Sequence, residues 1–196
     1  MTDKTCYPPS QYKIVHSTRA RNDNHERGAA ILIHNKINYE ITPLNTNLQA
    51  IAISVHLNRK FTICSLYLPH HHIQEQEIQS LIDQLPSPFI LLGDANARHP
   101  LWGGNEENPR GRAFENIILN SPISLLNDGS PTHYHIQTNS YTSIDLSICS
   151  SQIVEDLQYE VLDSRHTSDH YPIKITWNDP PIIVNSLIRY KVEKAN

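Results

Sequence analysis

Several short apolar runs in this chain end in polar groups of the kind that grips phosphate or metal. In PFILLGDANA, residues 88–97, Asp94 and Asn96 stand two apart, so on an extended chain both face the same way. Gly93, just before them, permits a sharp turn or the close approach of a ligand. A carboxylate beside an amide at the exit of a buried strand suits a hydrated Mg²⁺ and a phosphate. The alternative is an Asx turn, with both side chains bonding local backbone. Arg98 and His99 follow directly and are expected to lie near a bound substrate, with Trp102 anchoring their loop by packing. SLYLPH ends a second run with Tyr67, which otherwise reads as a core aromatic. TSIDLSIC puts Ser143 and Asp145 on one face, where Asp145 also reads as a satisfied buried acid. HTSDHYPIKI places Ser168, Asp169 and His170 just before a further run, where a capped turn is the alternative. Each reading has its structural counterpart, but the joint order Tyr, Asp-x-Asn, Ser-x-Asp, Ser-Asp-His is hard to obtain from turn chemistry alone.

Strands must position these groups. YKIVHS, AAILIHN, QAIAISVHL, FTICSLYL, PFILLGD, SIDLSIC, LQYEVLD and YPIKITW are short, rich in β-branched and aromatic residues, and bounded by turn formers. QAIAISVHL alternates apolar and polar, as a strand with one buried face does. PFILLGD is apolar throughout, which predicts cover on both faces. The spacing predicts a helix over QEQEIQSLIDQL, with Ile78, Leu81, Ile82 and Leu85 on one side, acids in the first turn, and Pro86 as its stop. GRAFENIILN predicts a second, with Phe114, Ile117 and Ile118 together. Strands that outnumber helices this far imply two packed sheets with helices outside, an α/β (α+β) class.

The 196 residues suit a single domain. With 38% hydrophobic and 18% charged residues, the composition is that of a globular protein. A net charge of −4 excludes binding nucleic acid through a general positive field. Any contact with DNA must use local groups or metal ions. Of the three Cys, Cys64 and Cys149 lie in strand-like runs and read as buried free thiols, which fits a reducing compartment. MTDKTCYPPSQ carries no signal-peptide pattern and no apolar run approaches a membrane span, so a nuclear or cytoplasmic location is expected, with no membrane partner.

The strand-end order resembles the endonuclease/exonuclease/phosphatase superfamily, the fold of apurinic endonucleases and deoxyribonuclease I. It is more similar still to endonuclease domains of non-LTR retrotransposons, the jockey-like elements, in which the stretch after the central strand reads much like GDANARHPLWGG. The likeness runs from about Ala29 to Trp177 and is most specific over Asp94–Gly104. It implies a four-layered, DNase I-like sandwich of two mostly antiparallel sheets with helices outside. It implies a Mg²⁺-dependent endonuclease (Mn²⁺ as the substitute) that nicks chromosomal DNA for target-primed reverse transcription. Asp94 would orient or deprotonate the attacking water, and Asn96 and Tyr67 would hold the phosphate. Asp145 would pair with His170 and keep it protonated against the charge of the phosphorane. Asp169, with Asp94 and Asn96, would hold the metal, and Arg98, His99, Ser143 and Ser168 would face the substrate. Phosphodiester cleavage needs such an activated water, charge neutralisation and help for the leaving oxygen.

The family's earliest motifs, an Asn on the first strand and a Glu on the next, are expected upstream of the matching part. Residues 1–178 are therefore expected to form the domain without its first strand or two, with 179–196 a tail or linker towards a reverse transcriptase. On that expectation the principal Mg²⁺ carboxylate is missing, and an inactive remnant is the alternative; a phosphoesterase acting on a small phosphate ester is another. His70, His71 and His72 read as a solvated loop, because adjacent side chains on an extended chain cannot all face one ion. STRARNDNHERG, residues 17–28, reads equally as a phosphate-contacting loop or a solvated hairpin, and His133, Tyr134 and His135 lie where such nucleases carry a DNA-facing loop.

Overall fold

The structure, a computed structural model, describes residues 8–17 and 28–178. Cys6, the basic loop over 18–27 with Asn24 and Glu26, and the 179–196 tail lie outside the described residues. In chain order the elements are β1 (Tyr12–His16), β2 (Ala30–His34), β3 (Asn38–Thr42), β4 (Gln49–His56), β5 (Lys60–Tyr67), α1 (Glu75–Asp83) and β6 (Phe89–Asp94). Then come α2 (Pro109–Asn120), β7 (Ile123–Leu125), β8 (His133–His135), β9 (Ser140–Thr142), β10 (Asp145–Ser150), β11 (Leu157–Val161) and β12 (Ile173–Trp177).

The centre is a six-stranded sheet in the order β3-β4-β5-β6-β10-β7. Only β5 and β6 run parallel; the other pairings are antiparallel. A parallel pair needs a crossover, and α1 lies in that connection. The helices pack on one face of the sheet. Ile78, Leu81 and Ile82 of α1 and Phe114 and Ile117 of α2 form one core with Cys64, Leu66, Leu91, Leu146 and Ile148. The other face carries a second core, where Ile53, Val55, Phe61, Ile90 and Cys149 meet Val15, Ile33, Ile153 and Leu157. Ile90 and Leu91 therefore bury on opposite sides, which is why β6 is apolar throughout. Both free thiols are buried, and burial pushes Cys64 up to about 12 and Cys149 to about 11, so neither is a nucleophile at neutral pH.

The second layer is made of two separate antiparallel pairs, β1–β2 and β11–β12, each two strands wide. Trp177 of β12 closes on Phe61 at 4.3 Å between ring centroids, edge to face. The α/β class and the mostly antiparallel sandwich are as the sequence implies. Among the described residues both helices lie over the same sheet, which gives three of the four expected layers.

Local chemistry sets the helix limits. The Gln74 N–H donates to Glu77 Oε2 at 3.0 Å, which ties the first turn of α1. Asn108 Oδ1 accepts the Gly111 N–H at 2.7 Å and Pro109 opens the first turn, so α2 starts two residues before the expected Gly111.

Candidate active site

Sheet direction explains why distant residues meet. β5 runs parallel to β6, so Tyr67 and Asp94 leave the sheet at the same edge. β10 runs antiparallel to β6, so its first residue returns to that edge, and Asp145 pairs directly with Asp94. The Leu68 N–H donates to the Asp94 carbonyl at 2.9 Å and keeps the two exits together. Gly93 is required there: its φ is +146°, and a Cβ would stand 1.9 Å from the Leu66 carbonyl oxygen. What approaches Gly93 closely is the neighbouring strand.

His170 arrives from the second layer. It forms a bridge with His133, and the Tyr171 N–H donates to the Thr132 carbonyl at 2.7 Å. Its Nδ1 lies 3.0 and 2.9 Å from the two Asp145 carboxylate oxygens. A carboxylate only accepts, so Nδ1 carries the donated proton and Nε2 is left for another partner. The hydrogen bond that His170 donates to Asp145 raises the His170 pKa against the opposing effect of burial. Asp145 is buried at 8% exposure and is braced from behind. Its N–H donates to Thr132 Oγ1 at 3.1 Å, and Asn127 Nδ2 donates to its carbonyl at 2.9 Å.

Asp94 makes the Asx turn that was the alternative reading of its motif. Its Oδ1 accepts the Asn96 N–H at 3.0 Å, an Asx turn, and Asn96 sits at a left-handed φ of 48°. Burial first, and then the Asp145 charge, raise the Asp94 pKa. Asn96 Nδ2 donates to the Leu68 carbonyl at 2.9 Å, which fixes the amide and leaves its Oδ1 as an acceptor. Asp94 Oδ2, Asn96 Oδ1 and the Asp169 carboxylate are oxygen donors, the chemistry a hard, hydrated Mg²⁺ takes.

Arg110, on α2, is a residue the sequence did not single out. Its guanidinium donates to the carbonyls of Leu68, Ala95, Pro69 and His71 at 2.8–3.2 Å. It thereby ties the exits of β5 and β6, and burial lowers its pKa against the opposing charge of Asp94. His70, His71 and His72 are exposed, as expected of a loop. They border a cavity of about 290 Å³ together with Asn96, Asn108 and Arg110.

The four expected substrate contacts fare differently. The Arg98 side chain is exposed, while its backbone N–H donates to the Asn108 amide oxygen at 3.1 Å. His99 is corrected: it is 8% exposed, its Nδ1 accepts the Leu101 N–H, and its Nε2 lies 3.4 Å from Glu115 and 3.6 Å from Glu107. The imidazole braces its own loop. Trp102, fully buried and donating to the Ala97 carbonyl at 3.0 Å, anchors that loop as expected. Ser143 is also corrected, because at 1% exposure its hydroxyl is shut inside the entry to β10. Ser168 is exposed, and its Oγ accepts the His170 N–H at 3.0 Å, the capped turn that was the alternative.

The 132–141 loop is a β8–β9 hairpin, and its His133, expected in a DNA-facing loop, lies against the site. His133 Nε2 lies 3.7 Å from Asp169 Oδ2, and the His133 ring meets the edge of His170 at 4.8 Å. Burial, then the neighbouring His170, lower the His133 pKa. Asp169, which burial alone would raise, ends below its ordinary value because of a backbone hydrogen bond and both imidazoles.

The family described as endonuclease-reverse transcriptase matches residues 61–174, more than half of the chain. The chain belongs to this family. The match takes in every strand end of the site, from Tyr67 to His170. The probable RNA-directed DNA polymerase from transposon X-element of Drosophila melanogaster is 29% identical over 178 residues, 88% of this chain and 20% of that protein. The RNA-directed DNA polymerase from mobile element jockey of the same fly is 27% identical over 179 residues, 88% of this chain and 19% of its own length. The chain thus spans about a fifth of the curated relatives it matches. Among solved structures, the endonuclease domain of TRAS1, a telomere-specific non-LTR retrotransposon, superposes with a TM-score of 0.73 at 22% identity, over 84% of this chain and 77% of that one. At that identity the likeness shows the fold. The chain is an endonuclease-type domain, as the resemblance read from GDANARHPLWGG implies. Among the described residues no helix is long and apolar enough to cross a membrane.

Proposed function

We propose that this domain is a Mg²⁺-dependent DNA endonuclease that nicks chromosomal DNA to prime reverse transcription, in a polyprotein that also carries a reverse transcriptase. The observation that carries the reading is the Asp145–His170 pair set beside Asp94 at one sheet edge. Asp145 holds His170 as an imidazolium whose Nε2–H donates to a non-bridging phosphate oxygen, and this bond strengthens as charge builds on the phosphorane. Asp94, its basicity raised by burial and by Asp145, orients the attacking water and takes its proton. The Tyr67 hydroxyl and Asn96 hold the phosphate. Asp94, Asn96 and Asp169 are the residues that would hold Mg²⁺, whose charge, when bound, neutralises the phosphate and helps the leaving oxygen. Mn²⁺, of similar ligand taste, substitutes.

The relatives' names support the polyprotein context, and the net charge of −4 supports contact through this local site. The substrate class is tested by offering the chain a supercoiled plasmid and a small phosphate monoester, each with Mg²⁺ and with EDTA. Plasmid relaxation that EDTA abolishes, with no turnover of the monoester, is the expected result. Monoester hydrolysis without relaxation would overturn it.

A further inference from the structure

The side chains around His170 form a second constellation, which shares His170 and Asp169 with the proposed nuclease chemistry and adds His133. His133, Asp169 and His170 each offer one ligand atom, and these atoms lie within 4.8 Å of one another. They come from two backbone contexts, His133 from the start of β8 and Asp169 and His170 from the turn before β12, and the His133–His170 bridge fixes the two together. Both imidazoles are held by Nδ1. His170 Nδ1 donates to Asp145, and His133 Nδ1 stands 3.2 Å from Thr142 Oγ1. Partners of that kind on the far ring nitrogen are what orient a metal-binding histidine and set its tautomer. Both Nε2 atoms are then available, and that of His133 already lies 3.7 Å from Asp169 Oδ2. Metal–ligand bonds of ~2.0–2.2 Å put neighbouring ligand atoms roughly 3–3.5 Å apart, so a small inward swing of the exposed Asp169 side chain, 60% accessible, closes the set.

We propose that His133, Asp169 and His170 form a cation site for a borderline transition metal of the Zn²⁺ and Co²⁺ class, and that filling it switches the nuclease centre off. Two imidazoles and one carboxylate suit such an ion, whereas Mg²⁺ prefers oxygen alone. The ion displaces the Nε2 proton of His170 to solvent and takes the lone pair that this frees, so that nitrogen has no hydrogen left to give a phosphate. Asp169 is withdrawn from the oxygen-donor set at the same moment. The binding half stands on geometry alone; the switching half rests on the nuclease reading above.

The test titrates the full 196-residue chain, stripped of metal, with Co²⁺ followed by visible absorption, and then with Zn²⁺ in competition. One equivalent of Co²⁺ giving a ligand-field band, displaced by Zn²⁺, is expected. His133→Ala should weaken the affinity at least ~10-fold, and Thr142→Val, which leaves every ligand in place, by roughly 10-fold. Circular dichroism establishes that each variant is folded, and a band that keeps its affinity in both variants would overturn the site. In plasmid nicking with Mg²⁺, the Zn²⁺ concentration for half-inhibition, each variant against its own zinc-free rate, should rise at least ~10-fold for His133→Ala. An unchanged value would overturn the switch. A chain that binds Co²⁺ as described but never nicks would keep the site and count against the nuclease reading.

Discussion

At the scale of single residues, the centre of the site is one imidazole and the carboxylate that holds it. The His170 pKa is raised by Asp145, so the protonated ring stabilises the fold. That contribution is fully present below about pH 6.5, the ordinary value for histidine, and is lost as pH rises through the elevated folded value. NMR titration of His170 should show a midpoint above ~6.5, and Asp145→Asn should bring it to that value or below. A wild-type midpoint below it would count against the pair. Asp94, Asn96, Asp145 and His170 were legible because each sits where an apolar run stops, a position visible in one dimension. His99 and Ser143 were misread because nearness along the chain does not give a direction. His99 turns to Glu107 and Glu115, and Ser143 turns inward. His133 was read only as part of a DNA-facing loop, and Arg110 and Asn127 could not be read at all. The partners of Arg110 and Asn127 lie between 15 and 42 residues away, and nothing in the local sequence marks an arginine that will collect four carbonyls.

At the scale of elements, position depends on a few tight contacts where β5, β6 and α2 meet. Gly93→Ala puts a Cβ against the Leu66 carbonyl at a φ that side chains rarely adopt. It should cost more than about 2 kcal/mol in urea denaturation and separate Tyr67 from Asp94; a stability within ~0.5 kcal/mol of wild type would show that the strands tolerate the change. Arg110→Lys keeps the charge but cannot fork to four carbonyls. It should destabilise by about 2–3 kcal/mol and slow nicking further than the lost stability explains; an unaltered rate would show that the loops hold without it. Helices α1 and α2 were legible because their apolar positions keep the helical period, and α2 gained an extra half turn from the Asn108–Pro109 start. The short β7, β8 and β9 escaped because three residues give no periodicity. β3 escaped because the apolar Tyr39 and Ile41 on it stay partly or largely exposed, so its pattern does not mark a core face.

At the scale of the whole molecule, two cores on either face of one six-stranded sheet bring strand ends from both layers to a single edge. The sandwich was legible from strand count and from the doubly apolar β6, whereas the split of the second layer into β1–β2 and β11–β12 is a matter of pairing that no local pattern specifies. Among the described residues the oxygen donors for Mg²⁺ are few, and one of them, Asp169, is largely exposed. Binding of Mg²⁺ to the 196-residue chain should therefore be weak, on the order of 10⁻³ M, and calorimetry finding micromolar affinity would show a fuller ligand set. The most direct measurement is Mg²⁺-dependent nicking of a supercoiled plasmid by the wild type, His170→Ala and Asp94→Asn. Slow, EDTA-sensitive nicking is predicted, falling at least ~10²-fold in each variant, as loss of a general base or of a charge-stabilising donor does. Nicking that survives in His170→Ala, or none by the wild type at millimolar Mg²⁺, would contradict the assignment of this edge as the catalytic centre.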